Sequence, residues 1–352
     1  MKDGDPTMDA QTSKQLAHNL ITWYRANARD LPFRHSRDPY RIFISEMMLQ
    51  QTQVATMLPY YERFIARFPD IETLAQASLD DVLSHWQGLG YYRRAKHVHE
   101  AAKQVCATHG GQFPTTLDAL KALPGIGDYT AGAIASIAFN QPEPAIDGNV
   151  LRVLTRVLAE ARPIALSATK ATVKDVVRGM HHHAPPRELT QAIMELGALV
   201  CVRTPICEAC PLQRHCLAYA QGRIAEIPMR APRLKQPLEH YIAFVITGGD
   251  AVYLEQNPDK GLLANLYGLP HIIGSDVTKA YTALQSNLSM ALTLGETLGE
   301  ITHVFSHKRW RLTVIHATSG QVTENFHALD DLPAIGKAHR KAIALWEEKM
   351  NK

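Results

Sequence analysis

Apolar residues recur every three or four positions through most of the first two thirds of the chain. Helical spacing holds over residues 16–24, 42–57, 60–68, 79–86 and 95–106. Prolines and glycines punctuate these runs at Pro39, Pro59, Pro69, Gly88, Gly110, Gly111, Pro114 and Pro124. Residues 13 to about 219 are therefore predicted to be almost entirely helical. Residues 226–239 hold three prolines and several basic side chains, which predicts an extended linker. Beyond it the pattern changes. Residues 240–247, 251–256 and 311–317 are predicted strands, and 337–349 a closing helix. The expected organisation is an all-α domain over 1–225, a linker over 226–239 and an α+β domain over 240–352.

With 352 residues the chain can bury two separate cores. Hydrophobic residues make up 46% of it, yet no apolar run approaches a membrane span, so no membrane partner is expected. The opening segment lacks the apolar core of an export signal, and a cytoplasmic location is expected. A net charge of +3 is compatible with nucleic-acid binding but does not argue for it alone. His181, His182 and His183 are adjacent; neighbours on a helix point in different directions, so a solvated helix end is expected. Cys106, set apart from the other cysteines, is expected to be an ordinary core residue.

The candidate chemistry begins at Leu123-Pro124-Gly125-Ile126-Gly127. Two glycines around Ile126 predict a tight turn with exposed N–H groups. The apolar run over 129–139 predicts a helix starting there, and a helix N-terminus attracts anions such as DNA phosphate. Twenty residues on, Asp147 precedes Gly148, Asn149 and a predicted helix over 150–158. Asp147 is thus expected to cap that helix, with backbone N–H groups holding it ionised. Glu46 lies in an otherwise apolar helical stretch, where ionisation is costly and the pKa should rise. The alternative is a plain ion pair with Arg41 or Arg94. Two carboxylates in unlike surroundings can protonate a leaving group and stabilise a sugar cation.

Four of the five cysteines follow the spacing Cys201-x5-Cys207-x2-Cys210-x5-Cys216. Four thiolates suit a tetrahedral zinc ion or an iron–sulfur cubane. Zinc ribbons usually carry two close pairs, and only Cys207 and Cys210 form one here. The same loop carries Arg203 and Arg214, which are expected either to face phosphates or to be solvated.

Several motifs together resemble the MutY-type adenine DNA glycosylases of the endonuclease III, helix-hairpin-helix superfamily. They are SEMMLQQTQV from Ser45, GLGYYRRA from Gly88, LPGIGDYTAGAI from Leu123 and the cysteine loop. The first cysteine spacing has five residues where that family has six, which shortens a loop that approaches DNA. The resemblance implies a two-lobed helix-hairpin-helix glycosylase domain whose cysteine loop holds one 4Fe–4S cluster. GLLANLYGLP from Gly261 and THVFSH from Thr302 resemble the family's Nudix-like C-terminal domain. No glutamate-rich helix lies between Gly274 and Ile301, so nucleotide hydrolysis is not expected there.

The resemblance also implies roles. Glu46 protonates adenine, and Asp147 stabilises the sugar cation as an ion or through a covalent adduct. Tyr129 stands where bifunctional relatives carry a Schiff-base lysine, so base removal without strand cleavage is implied. Gly125 and Gly127 form the hairpin on DNA. Gln51 and Tyr91 wedge into the base stack, with Thr52 and Leu89 near the opposing base. Arg29, Phe33 and Gln191 line the adenine pocket, Phe33 replacing the family's usual tryptophan. Phe305, Ser306 and His307 inspect 8-oxoguanine; the Ser306 hydroxyl can donate or accept. The implied partner of a monomeric enzyme is double-stranded DNA with A:8-oxoguanine or A:G mispairs. Two other readings compete: an endonuclease III-like enzyme on oxidised pyrimidines, and a non-catalytic iron–sulfur DNA-binding or redox-sensing protein.

Overall fold

A computed structural model describes residues 8–230, 236–288, 290–305 and 307–350. They group into two compact units, residues 1–76 with 97–232, and 77–96 with 233–352. The first unit is helical, as the apolar periodicity predicts. Helices Ala10–Asn27, Gly148–Val157, Ser167–His181 and Pro186–Leu199 bury one continuous core. Leu16, Leu20, Val150, Leu154, Val173, Val177, Leu189 and Ile193 meet in it, each presented at helical spacing. Cys201 and Leu212 close the same core, so the cysteine loop is packed onto the helix that follows Asp147.

The single apolar run over 42–57 divides in the structure. One helix, Pro39–Leu49, stops before Gln50, and the next, Val54–Arg67, carries Pro59 inside it. Pro59 is the sixth residue of that helix, so the Ala55 carbonyl loses the N–H bond it would otherwise accept, and the helix continues past it. The helix that starts the hairpin run is also shorter than expected. Asp128–Ala133 is α-helical and Ile134–Ala138 continues as a π-helix. Arg187 covers the end of that wider turn by donating to the carbonyls of Ile137 and Ala138. His181 corrects a second expectation. It is buried, with Nε2 3.4 Å from the Thr190 hydroxyl, and only His182 and His183 are exposed. Cys106 is half-buried.

The second unit centres on a six-stranded sheet. Its strands are β1 (Leu238–Gly248), β2 (Ala251–Tyr253), β5 (His271–Ile273), β6 (Leu292–Val304), β7 (Arg309–Ser319) and β8 (Phe326–Ala328). Two short strands, β3 (Glu255–Gln256) and β4 (Tyr267–Gly268), form a separate ribbon. The order is β6-β7-β1-β2-β8, with β5 also paired to β1; β1 and β7 run parallel. Ile242, Phe244 and Ile246 pack on one face with Ala280 and Leu284 of helix Val277–Asn287. Val245 and Val314 face the other way, onto Ala342, Ile343 and Trp346 of helix Lys337–Met350. A strand covered on both faces has no polar side to show, which explains the unbroken apolar run of β1. β1 begins at Leu238, so the last two residues of the expected linker belong to the sheet.

Gly132 sits where the hairpin helix crosses the chain before Asp147. An added Cβ would lie 2.4 Å from the Pro144 carbonyl oxygen and 3.2 Å from the Ala145 Cα. Both obstacles are backbone and cannot rotate away. Gly132→Ala is expected to destabilise the chain by about 1–3 kcal/mol, measured as a lower urea midpoint with unchanged m-value.

Candidate active site

Glu46 is carried by helix Pro39–Leu49, whose start is set by Pro39 at the first turn and by Asp38, which accepts from the Tyr40 N–H at 2.9 Å. Residues Ile42 to Met48 of this helix are all buried, Glu46 among them. The Tyr129 hydroxyl, from the hairpin helix, donates to Glu46 Oε2. Of the expected ion-pair candidates, Arg41 lies 3.7 Å from Asp38, and Arg94 donates to the Gly90 carbonyl.

Asp147 caps helix Gly148–Val157 as the spacing predicts. Its Oδ1 accepts from the Val150 N–H at 2.7 Å, and its Oδ2 from Asn149 Nδ2 at 2.8 Å. Asn149 is in turn held by Arg152 at 2.7 Å, and Arg152 also donates to the Cys201 and Gly197 carbonyls at 2.6 Å each.

The electrostatics separate the two acids. Burial pushes the Glu46 carboxyl up to about 7; the Tyr129 bond opposes this, the Asp147 charge adds to it, and Arg34 opposes it. The expected N–H donors do lower the Asp147 pKa, but they do not act alone. Burial outweighs the Val150 and Asn149 bonds, so its carboxyl also lies above the ordinary aspartate range. Asp147 accepts two N–H bonds that favour its ionised form, whereas Glu46 accepts only the Tyr129 hydroxyl, which places the proton of the pair on Glu46. Burial and the two carboxylates push the Tyr129 phenol up, so it stays neutral.

Beside them lies a buried carboxylate that sequence reasoning missed. Glu195 accepts from Arg29 Nε and Nη2 at 2.7 Å each, from the Arg29 N–H at 3.0 Å, and from Arg34. Burial alone would raise it, but the two guanidiniums overcome that and bring it down to about 2. Its signal was present: an acid on the helix face shared by Leu189, Ala192, Ile193 and Leu196. Of the expected pocket residues, Arg29 is thus committed to Glu195. Phe33 is buried edge-on to Tyr61 at 5.9 Å, and Gln191 donates to the Arg187 carbonyl at 3.2 Å.

The expected wedge residues share a backbone property. Gln51 has φ 57° and Tyr91 φ 53°, both left-handed, and both side chains are exposed. Tyr91 is 45% accessible, with the Arg94 guanidinium 5.3 Å from its ring centroid. Thr52 is half-buried. Leu89 is buried rather than presented outward. Gly125 turns left-handed at φ 74°, and a Cβ there would strike His97 at 2.5 Å; the space around Gly127 is open. Phe305 is half-buried and His307 exposed, whereas Ser306 lies outside the described residues.

Cys201, Cys207, Cys210 and Cys216 line one largely apolar cavity with Val153, Arg156 and Leu212. No group of three Cys, His, Asp or Glu stands at metal-binding spacing among the described residues. The donor set nevertheless suits a cluster. All four thiols are unpaired and surround one space, and the buried Arg156 donates to Cys201 Sγ at 3.4 Å. Arg203 and Arg214 are exposed on this loop.

Comparison with known proteins matches this arrangement to a family. Residues 44–178 match the HhH-GPD superfamily of base excision DNA repair proteins, and residues 241–345 the NUDIX domain. The adenine DNA glycosylase of Mus musculus is 35% identical, over 95% of this chain and 74% of its own length. The chain belongs to the adenine DNA glycosylase family. Further members of that family are similar to it: the Homo sapiens protein is 34% identical over 82% of this chain and 64% of its own. That of Buchnera aphidicola subsp. Schizaphis graminum is 35% identical over 72% and 73%. Among solved structures, a thermostable thymine-DNA glycosylase superposes with TM-score 0.55 at 26% identity, over 60% of this chain and all of its own. A trapped endonuclease III–DNA covalent intermediate, at 20% identity and TM-score 0.51 over 61% and 99%, shares the fold of the helical part. No helix among the described residues is long and apolar enough to cross a membrane.

A raised Glu46 pKa has a consequence for stability. The folded chain binds this proton more tightly than the unfolded one, so Glu46 costs nothing below its ordinary value of 4.5 and an increasing amount as pH climbs to about 7. Glu46→Gln keeps an acceptor for Tyr129 and carries no charge. Its melting temperature is expected to match the parent near pH 4.5 and exceed it increasingly toward pH 8, by up to about 3 kcal/mol of unfolding free energy.

Proposed function

We propose that this chain removes adenine paired with 8-oxoguanine or guanine from duplex DNA by hydrolysing its N-glycosidic bond, leaving an abasic site and an uncut strand. The observation that carries the proposal is the buried trio of Glu46, Tyr129 and Asp147, one proton donor and one anion held by different elements. Tyr129 occupies Glu46 Oε2, which leaves Oε1 to present the proton to the base. As the bond between C1′ and the base nitrogen breaks, its electron pair leaves with adenine and the Glu46 proton neutralises it. Asp147 faces the oxocarbenium that remains. Water adds to C1′ and its proton passes to the Glu46 carboxylate, which restores the acid. Tyr129 has no amine, so no imine forms and the strand stays intact.

The other residues take supporting roles in this reading. Arg34 Nη1, buried without a hydrogen bond among the described residues, supplies a donor for the extruded base beside Arg29, Phe33 and Gln191. Gln51 and Tyr91 fill the gap left in the stack, with Thr52 and Leu89 near it. The Gly125–Gly127 turn receives a phosphate. Phe305, Ser306 and His307 examine the opposite base. Cys201, Cys207, Cys210 and Cys216 would hold one 4Fe–4S cluster, which when bound ties the loop together and stabilises the fold.

Single-turnover assays with end-labelled duplexes test this reading. Adenine release opposite 8-oxoguanine and guanine is expected, with strand breaks only after alkali, and Glu46→Gln is expected to abolish release. Borohydride trapping of a protein–DNA adduct, or activity on thymine glycol, would overturn it. The pH profile adds a second test. Release should fall as pH rises through about 7, where Glu46 loses its proton. Tyr129→Phe removes a bond that lowers the Glu46 pKa, so its alkaline limb is expected at higher pH than the parent's.

A further inference from the structure

The connection from β6 to β7 carries Phe305 and His307. Val304 stands opposite Arg309, and the Phe305 N–H donates to the Lys308 carbonyl at 2.8 Å. Backbone closure of this kind sets the path of the chain but not the direction of an aromatic side chain. A further layer of contacts comes from β1, which runs parallel to β7 with Glu239 opposite Trp310. The Glu239 carboxylate gathers three donors. Lys308 Nζ reaches Oε2 at 3.0 Å and Oε1 at 3.3 Å, Trp310 Nε1 reaches Oε2 at 3.1 Å, and the Tyr241 hydroxyl reaches Oε2 at 3.0 Å. The Lys308 bond holds the Glu239 carboxyl below the usual glutamate range, so it stays ionised.

These bonds decide what Phe305 can do. Its ring packs edge-on to the Trp310 indole, centroids 4.8 Å apart at 72°, and against His303 at 4.5 Å and 73°. The indole that packs on the ring is anchored through its Nε1 by Glu239. Lys308, which shares the backbone bond with Phe305, is anchored by the same carboxylate. Gln236 Nε2 adds a bond to the Phe305 carbonyl at 2.9 Å. A loop side chain ordered before binding does not spend binding free energy on being ordered, and that difference appears as discrimination.

We propose that Glu239 is a positioning residue for discrimination of the base opposite adenine: through Lys308 and Trp310 its carboxylate fixes the orientation of Phe305. The role rests on the reading of the Phe305 connection given above. Glu239 itself touches no DNA in this account, and its effect is on the ratio of substrates rather than on bond cleavage.

The test uses the full chain and single-turnover adenine release from A:8-oxoguanine and A:G duplexes, with melting temperatures recorded for every variant. Glu239→Ala is expected to lower the ratio of the two rates about tenfold while leaving the A:G rate nearly unchanged. Glu239→Gln keeps an acceptor for Trp310 but loses the ionic bond to Lys308, and should fall between. Phe305→Ala should lower the ratio as well, and adding Glu239→Ala to it should lower it no further, as expected for residues that act in one chain. If Phe305→Ala leaves the ratio unchanged, the reading of the connection fails. If Phe305→Ala collapses the ratio and neither Glu239 variant does, the positioning role alone fails. Equal slowing on both duplexes by both Glu239 variants marks general support of the fold and also overturns it.

Discussion

A carboxylic acid buried against a neutral phenol is the constraint on which this structure turns. Helix Pro39–Leu49 must be enclosed on nearly all sides for Glu46 to keep its proton near neutral pH. Glu195 is the control built into the same unit. It too is buried but lies between Arg29 and Arg34, and it is ionised far into the acid range. Two glutamates enclosed by the same unit are therefore held in opposite states: burial keeps the proton on Glu46, while the hydrogen bonds and charges of Arg29 and Arg34 keep Glu195 ionised. Arg34 serves both: it neutralises Glu195 directly and restrains the rise of Glu46 from a greater distance. An arginine moved toward Glu46 would make that residue a second Glu195, permanently charged and unable to donate.

The anion of the pair is held by a mechanical series rather than by one bond. Asp147 is gripped by Asn149, Asn149 by Arg152, and Arg152 reaches the carbonyls of Gly197 and Cys201. Gly197 matters for space as well as for hydrogen bonding, since a Cβ there would stand 2.6 Å from Asn149 Cβ. Arg156, one turn further along, reaches the Cys201 sulfur and the Val202 and Arg203 carbonyls. The cysteine loop thus abuts the base of the helix that Asp147 caps. Through Arg152 the Cys201 carbonyl is tied to the side chain that holds Asn149, and through Asn149 to Asp147.

Much of this was legible in the sequence, for identifiable reasons. Asp147 announced itself by preceding a glycine and a helical run, and Glu46 by standing alone in an apolar stretch. Both inferences use local spacing, where sequence is most informative. What escaped were features set by distant partners. The Arg29–Glu195–Arg34 group joins residues more than 160 positions apart, and the helix face that carries Glu195 does not say which cations meet it. The state of Asp147 depended on how deeply the finished fold buries it, which outweighed the cap itself. β6 was missed because its burial follows no clean alternation: a β-bulge shifts its register between Leu294 and Gly299, and its first half is largely exposed at the sheet edge. The three adjacent histidines read as a solvated helix end, but helix geometry turns His181 inward and leaves only His182 and His183 exposed.

The left-handed backbones of Gln51 and Tyr91 carry a lesson for anyone who dissects these positions. For a residue with a β-carbon that conformation costs roughly 1–2 kcal/mol, which the surrounding chain already supplies. Truncation to alanine retains the strain and removes only the atoms beyond the β-carbon, so it isolates what the side chain does. Glycine adopts the same dihedrals freely and loosens the unfolded chain, so it changes the backbone free energy together with the side chain. Alanine is the cleaner deletion at these two turns.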